Sequence, residues 1–165
     1  MVVGVLAPPH GYARGIHDPD VPLSTAAAPR HQEEGNSMSN TVELTKENFD
    51  QTVKDNEFVL IDFWASWCGP CRQFAPVYEK AAEDNPDLVF GKVDTEAQPE
   101  LAAAFGIQSI PTLMIVRDQV AVFAQPGALP QTALDDVIGQ ARKLDMDEVR
   151  KAVAAQQEKA GQNGE

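Results

Sequence analysis

The sequence predicts an α/β protein in which helices flank a mixed central β-sheet on both faces. Two patterns support this class. Short apolar runs bounded by turn residues are typical of buried strands, and they alternate with segments whose apolar residues recur at helical spacing. The order is βαβαβ, a short helix, then ββα, which requires helices on both faces of one sheet. Hydrophobic residues make up 43% of the chain, enough to build a core.

The regular pattern begins at Val42, and a first helix is expected over 45–56 with Thr45 as its cap. The continuous apolar run over 58–64 predicts a central strand that is buried on both faces. A helix is expected to follow over 68–84. The remaining elements come from the same patterns and are a strand at 88–93, a short helix at 99–105, a hairpin of strands at 112–116 and 120–124, and a helix at 130–144.

Both ends of the chain differ from its middle. Residues 1–37 contain five prolines and four glycines and no periodic apolar pattern, so they are expected to form a disordered N-terminal extension. Met38 opens a segment that looks like a natural protein start, and 38–144 is expected to be the folded domain. Residues 145–165 are expected to add a helix, capped by an aspartate and ending near 157, and then a polar tail.

Charge and composition exclude several classes of protein. The 13 Lys and Arg against 25 Asp and Glu give a net charge of −12, which argues against nucleic acid or an anionic membrane as a partner. No apolar run approaches the roughly 20 residues that span a membrane. All three histidines precede residue 38, which excludes a Cys-His pair or an HExxH metal site in the rest of the chain. Two cysteines are too few for a four-cysteine zinc site, so no metal is expected.

The two cysteines lie in the sequence Trp67-Cys68-Gly69-Pro70-Cys71, between the predicted central strand and the next helix. A cysteine in the first turn of a helix faces unpaired backbone N–H groups and the positive end of the helix dipole, and both favour thiolate over thiol. The pKa of Cys68 is therefore expected to be lowered. Cys71, one turn further along, can close a disulfide with it. The alternative is a structural or chance pair of free thiols.

Asp62 is a carboxylate inside an otherwise apolar strand. Burying it in charged form is costly, so its pKa should rise towards neutrality, which suits a general base. The alternative is a solvated and idle residue at the end of the strand.

Several segments together resemble the thioredoxin family. Residues 63–72 (FWASWCGPCR) are similar, almost residue for residue, to the active-site segment of that family, and residues 105–112 (FGIQSIPT) are similar to its cis-proline segment. Residues 91–94 (GKVD) and 127–129 (GAL) match as well. The resemblance extends over about 42–144 and implies the thioredoxin fold.

The resemblance implies a role for individual residues. Cys68 would be the attacking thiolate and Cys71 the resolving thiol, and the two would form the redox disulfide. Asp62 would move a proton to and from Cys71, and Lys92 on the neighbouring strand would be its partner. The alternative for Lys92 is that its stem carries the ammonium to solvent. Pro111 would follow a cis peptide bond, and its loop would face the sulfurs.

The resemblance also implies a client-binding rim around the attacking cysteine. Ile110 would offer backbone groups to an extended client strand. Trp67, beside a reactive thiol, is expected to be exposed, with core packing as the alternative, whereas Trp64 is expected to be structural. The residues of this substrate-binding rim are Trp67, Gly69, Pro70, Ile110, Pro111, Gly127 and Ala128.

Two positions depart from the pattern of the family. Asp118-Gln119 replaces the common Asn-Gly pair at the hairpin, so a wider turn is expected. Pro126 stands before Gly127 where the family often has an aliphatic residue, which points to an altered substrate preference.

The function implied by the resemblance is that of a monomeric, cytoplasmic protein-disulfide reductase that maintains cell redox homeostasis. It would bind no cofactor, receive electrons from NADPH through a flavoprotein thioredoxin reductase, and pass them to disulfide-containing client proteins. The apolar run at 2–7 is too short for a signal peptide, which favours the cytoplasm.

Two alternatives stay open. The first is an oxidase or isomerase of extracytoplasmic disulfides, against which the Gly-Pro pair between the cysteines argues. The second is a non-enzymatic scaffold or holdase that docks through its C-terminal helix.

Overall fold

The computed structural model describes residues 40–162, and the expected disorder of 1–37 and the last residues of the polar tail lie outside this range. Within it, strands and helices alternate over the first seven elements, and one more strand and then two helices follow. Their bounds are β1 (Thr41–Glu43), α1 (Phe49–Asp55), β2 (Phe58–Trp64), α2 (Gly69–Asp84), β3 (Val89–Asp94), α3 (Pro99–Ala104), β4 (Thr112–Arg117), β5 (Val120–Pro126), α4 (Gln131–Arg142) and α5 (Met146–Gln162).

The strands form one mixed sheet in the order β1-β3-β2-β4-β5. β1, β3 and β2 run parallel to one another, whereas β4 is antiparallel to β2 and β5 is antiparallel to β4. One buried cluster joins α1 and α3 to one face of the sheet, and a second joins α2 and α4 to the other face. The predicted fold class is confirmed, and apart from α1 and α5 the predicted bounds agree to within two residues.

The central strand β2 determines which face each of its side chains enters, because successive side chains of a strand point to opposite faces. Ile61 and Phe63 are fully buried against the helices α1 and α3, and Leu60 is fully buried under α2 and α4. Asp62 follows Leu60 by two positions and therefore enters the face that α2 covers. Each fully buried apolar side chain contributes about 1.5–3 kcal/mol, so the strand as a whole tolerates one buried carboxyl.

The prediction that Thr45 caps α1 is wrong. The helix begins at Phe49, after a turn over 46–48. The carbonyl of Thr45 accepts the N–H groups of Asn48 (3.2 Å) and Phe49 (2.9 Å), and its own N–H donates to Asn48 Oδ1 (2.8 Å). Thr45 is thus the first residue of a turn that precedes the helix, because the Asn48 side chain accepts a hydrogen bond from the Thr45 backbone.

The expected wider turn of the β4–β5 hairpin is also wrong. Arg117 lies opposite Val120, so the turn consists of Asp118 and Gln119 alone. Their φ angles are 49° and 66°, in the left-handed region that a tight two-residue hairpin turn requires at both positions. Contacts from elsewhere hold this turn: the Asp118 N–H donates to the Glu57 carbonyl at 2.9 Å, and Arg150 Nη2 donates to Asp118 Oδ2 at 2.7 Å.

The C-terminal helix α5 packs on the core through its first turns. Asp145 Oδ1 accepts the N–H of Asp147 at 2.9 Å, so the predicted aspartate cap is confirmed. Met146 is 8% exposed and joins the buried cluster under α2 and α4, and Val149 packs against the same cluster. The helix continues to Gln162, beyond the predicted end near 157, because the three residues that come next, Glu158, Lys159 and Ala160, have high helix propensity. Between residues 40 and 162, no helix is long and apolar enough to cross a membrane.

Candidate active site

Cys68 and Cys71 lie in the connection from β2 to α2. Cys68 is the N-cap residue of α2, with an extended backbone (φ −79°, ψ 111°), and Cys71 is in the first turn. Pro70 fits one of the first helical positions because an N–H there has no partner within the helix. The two cysteines form a disulfide, with their Cα atoms 5.2 Å apart.

The sulfur of Cys68 lies at the N-terminus of α2. The backbone N–H of Cys71 donates to Cys68 Sγ at 3.2 Å, and the helix dipole places partial positive charge at the same end. Both would stabilise a thiolate on Cys68 once the disulfide is reduced. Cys68 and Cys71 are only 4% and 3% exposed, so a client disulfide must come into close contact with the surrounding loops to reach them.

Asp62 is the charged residue of the central strand and is 1% exposed. Burial raises the pKa of Asp62 from 3.8 to about 7, and the positive charge of Lys92 opposes part of that rise. Its Oδ1 atom accepts no hydrogen bond from the described part of the chain. This environment contradicts the alternative of a solvated carboxylate at a strand end and gives Asp62 the proton affinity of a base that works near neutral pH.

Lys92 lies directly opposite Asp62 in the register of β2 and β3. Its Nζ atom is 4.9 Å from the centre of the Trp64 ring, a cation–π contact, and it forms no ion pair with Asp62 among the residues that the structure describes. Lys92 therefore acts on Asp62 through its nearby charge. The structure places the expected partner beside Asp62 but does not join the two side chains directly.

The loop before β4 meets the cysteines from the other side. The Ile110–Pro111 peptide bond is cis, and the Ile110 carbonyl oxygen lies 3.7 Å from Cys68 Sγ. The N–H of Gly127 donates to the Pro111 carbonyl at 2.8 Å, which brings the loop after β5 against the cis-proline loop. Gly127 has φ 101°, a conformation that L side chains rarely adopt.

The other residues of the predicted rim are accessible. Pro70 and Ala128 are exposed, and Gly69 is half-buried. Trp67 is 64% exposed, so the expectation of an exposed indole is confirmed, whereas Trp64 packs against the cysteines and Ala65. Pro111 is buried, so the rim combines accessible apolar groups with a cis-proline and a disulfide that are themselves almost covered.

Comparison with known proteins decides the family. The sequence profile described as thioredoxin matches residues 40–140, which include the cysteines, Asp62, Lys92 and the cis-proline loop. The chain belongs to the thioredoxin family. A protein of Streptomyces coelicolor named putative thioredoxin 2 is 87% identical over 124 residues, which cover 75% of this chain and 92% of that protein. Thioredoxin 1 of Synechococcus elongatus is 44% identical over 61% of this chain and 96% of its own length.

Solved thioredoxin structures agree with this assignment. A mutant thioredoxin of Halobacterium salinarum superposes with a TM-score of 0.60 at 33% identity, covering 67% of this chain and 99% of the other. A Plasmodium falciparum thioredoxin gives a TM-score of 0.57 at 34% identity, covering 61% and 98%.

Like other thioredoxins, the chain is a thiol–disulfide oxidoreductase, and it works by dithiol–disulfide exchange through Cys68 and Cys71. Thioredoxins generally carry no bound cofactor, and they work with a reductase and with disulfide-containing clients. No group of His, Cys, Asp or Glu within the described range could hold a metal ion.

Sequence reasoning missed Glu96, a partner of the exposed tryptophan in this thioredoxin. The indole N–H of Trp67 donates to Glu96 Oε1 at 2.9 Å. Asp94 Oδ1 accepts the N–H of Glu96 at 2.9 Å, and the Thr95 N–H donates to the Trp64 carbonyl at 2.9 Å, so the loop that carries Glu96 is held against β2. No local pattern predicts this contact, because 29 positions separate the two residues.

Tyr78 is a second residue that sequence reasoning did not assign to the site. Its ring is fully buried under α2, and its hydroxyl donates to the Gly91 carbonyl of β3 at 2.8 Å. A tyrosine within the apolar stripe of α2 was the available signal, because a buried hydroxyl requires a partner.

Proposed function

We propose that this thioredoxin is a protein-disulfide reductase in which Cys68 attacks, Cys71 resolves, and Asp62 accepts and returns the proton of Cys71. The observation that carries the proposal is the position of the Cys68–Cys71 disulfide at the N-terminus of α2, with the Cys71 N–H on Cys68 Sγ. Of the two sulfurs, that of Cys68 receives this hydrogen bond, which supports its assignment as the attacking thiolate.

The first step joins the protein to its client. The Cys68 thiolate attacks one sulfur of the client disulfide, a bond forms between the two sulfurs, and the second client sulfur leaves as a thiolate. Ile110, whose carbonyl lies 3.7 Å from Cys68 Sγ, is placed to pair with an extended client backbone. The accessible rim residues Trp67, Pro70 and Ala128 would receive the side chains of that client.

The second step releases the reduced client. Cys71 loses its proton and attacks Cys68 Sγ, the Cys68–Cys71 disulfide forms, and the remaining client sulfur leaves as a thiolate that takes up a proton. Asp62 supports this step because its pKa of about 7 allows it to accept a proton near neutral pH. Asp62 enters the face of the sheet that α2 covers, and α2 carries Cys71. The charge of Lys92 eases the ionisation of Asp62.

The proposed electron supply follows from membership of the family. A flavoprotein thioredoxin reductase that uses NADPH would return the protein to the dithiol form, and the protein would work as a monomer in the cytoplasm to maintain redox homeostasis. We propose that residues 38–144 suffice for this activity.

An insulin-reduction assay with and without a thioredoxin reductase tests the function. A reductase of this kind precipitates insulin chains when NADPH and the partner enzyme are both present. Cys68→Ser should abolish the activity, and Ser66→Ala, at an exposed neighbouring position that leaves both cysteines and the rim in place, should retain it. If NADPH and reductase fail to support turnover while the protein oxidises or reshuffles reduced clients, the oxidase or isomerase alternative is correct.

A further inference from the structure

The buried layer under α2 and α4 contains two polar side chains, Asp62 and Tyr78. Asp62 and Tyr78 are 1% and 0% exposed. The other members of the buried cluster in this layer have aliphatic, phenylalanine or methionine side chains. Buried polar groups are costly unless they have partners, so two of them in one apolar layer need a physical reason.

The contact of Tyr78 with the sheet lies beside Asp62. Its hydroxyl donates to the carbonyl of Gly91, and Gly91 precedes Lys92, the residue opposite Asp62 in the parallel register of β2 and β3. Tyr78 lies two turns after Cys71, at a spacing that places both side chains on one face of α2. The Tyr78–Gly91 hydrogen bond therefore ties the helix of the resolving cysteine to the sheet next to the carboxyl that is proposed to deprotonate it.

Within residues 40–162, the strands on either side of β2 place one charged residue opposite Asp62. β3 places Lys92 opposite it, but the ammonium of Lys92 lies over the Trp64 ring, and β4 places the apolar Leu113 opposite it. Asp62 Oδ1 accepts no hydrogen bond from residues 40–162. Tyr78 is the hydroxyl that α2 brings to this otherwise apolar site.

We propose that Tyr78 is a positioning residue for Asp62, whose buried hydroxyl anchors α2 beside the carboxyl and favours its ionised form. This inference rests on the proposed role of Asp62 as proton acceptor for Cys71. Tyr78 donates its hydroxyl hydrogen to Gly91. Because that single hydrogen rotates about the C–O bond, it would turn towards Asp62 when the carboxyl is charged.

Tyr78 remains a donor over the whole working range of pH. Burial raises the pKa of Tyr78 well above its ordinary value, and the charge of Asp62 raises it further.

The test uses the reduced full chain and dithiobis(nitrobenzoate), an aromatic disulfide with a coloured thiol product. Attack by Cys68 releases one thionitrobenzoate, and resolution by Cys71 releases the second, so stopped-flow absorbance separates the two steps. In Tyr78→Phe the pH midpoint of the second phase should rise by about half to one unit, because the ionised carboxylate loses the hydroxyl that would turn towards it. The first phase should keep its pH profile.

Two variants separate positioning from mere packing. Phe74→Leu alters a neighbouring buried ring of α2, 5.7 Å from Tyr78, without removing a hydroxyl, so it should lower stability and leave the midpoint of the second phase unchanged. When Asp62 is already replaced by Asn, Tyr78→Phe should cause no further shift in the pH midpoint of the second phase. An unchanged midpoint in Tyr78→Phe, or a shift that persists without Asp62, overturns the inference.

The failure of the proposed Asp62 role has a different signature. If Asp62→Asn leaves the pH profile of the second phase unchanged, Asp62 is not the proton acceptor, and this inference falls with it. If Asp62→Asn alters that profile and Tyr78→Phe does not, only the role of Tyr78 is refuted.

A measurement on the unmodified chain gives an answer even if Tyr78→Phe does not fold. The chain contains two tyrosines, Tyr12 and Tyr78, so carbon-13 labelling of the tyrosine Cζ atoms gives two signals, and Tyr12→Phe identifies them. The Tyr78 signal should shift in step with the ionisation of Asp62 near neutral pH, and this step should vanish in Asp62→Asn. A Tyr78 signal that is constant through this range overturns the inference.

Discussion

Replacement of Asp62 by Asn should stabilise the protein, and the gain should grow as the pH rises. The pKa of Asp62 is 3.8 without burial and about 7 in the folded state. Between these values the folded protein holds a proton that the unfolded chain has lost, so unfolding becomes easier as the pH rises. The free energy of unfolding is therefore highest below pH 3.8, where Asp62 is protonated in both states. It falls as the pH rises and has lost the whole contribution of the neutral carboxyl once the pH exceeds about 7.

The size of the effect follows from the two pKa values. A difference of about three units corresponds to a loss of about 4 kcal/mol in the free energy of unfolding above neutrality. About two of these units lie above pH 5, so the stability of the natural chain relative to Asp62→Asn should fall by about 2.5 kcal/mol between pH 5 and pH 8. The amide never ionises, so the variant lacks this dependence.

Urea unfolding of both proteins in the disulfide form measures the effect without titration of the cysteines. The histidines at positions 10, 17 and 31 are present in both chains, so their contribution cancels in the difference. A difference in unfolding free energy that stays constant between pH 5 and pH 8 would refute the reasoning. A variant that is less stable at pH 8 would do the same, because Asp62 would then be favourably charged in the folded state.

Three further predictions concern catalysis, the chain ends and the hairpin. In Cys71→Ser the remaining cysteine still attacks, so mixed disulfides with clients should accumulate on nonreducing gels, and their absence would contradict the assignment of roles. A chain that starts at Met38 should keep full activity and a stability within about 0.5 kcal/mol of the full chain. Truncation after Leu144 removes the buried Met146 and should lower the free energy of unfolding, measured with urea, by about 2 kcal/mol or more. If removal of residues 1–37 lowered it more than this truncation, the N-terminal extension would dock on the domain. Gln119 has a φ of 66°, a strained conformation for a residue with a side chain, so Gln119→Gly should raise the free energy of unfolding by about 0.5–1 kcal/mol. A lower free energy of unfolding in the variant would mean that the glutamine side chain contributes stabilising contacts.

The elements of the fold could be predicted because their signals are local. The run over 58–64 is apolar throughout, and the structure makes it the central strand β2. Two of the errors arose where a distant residue or an unexpected side-chain contact determines the backbone. Asn48 pairs with the backbone of Thr45 and delays α1, and the tight turn at Asp118 is held by Arg150, 32 positions away.

The chemistry of this protein can be predicted from two short stretches of its sequence. Cys68 and Cys71 are three positions apart at a strand-to-helix junction, and Asp62 is a carboxyl within an apolar strand, so adjacency and pattern alone predict a redox pair and a buried base. The contacts around the two cysteines and Asp62, in contrast, depend on the tertiary structure. The Ile110 carbonyl is 42 positions from Cys68, and Gly91 is 13 positions from Tyr78; both contacts depend on how strands and loops pack, which no local pattern specifies. The reactive groups were therefore visible in the sequence, whereas the contacts that tune them exist only after the sheet and α2 have come together.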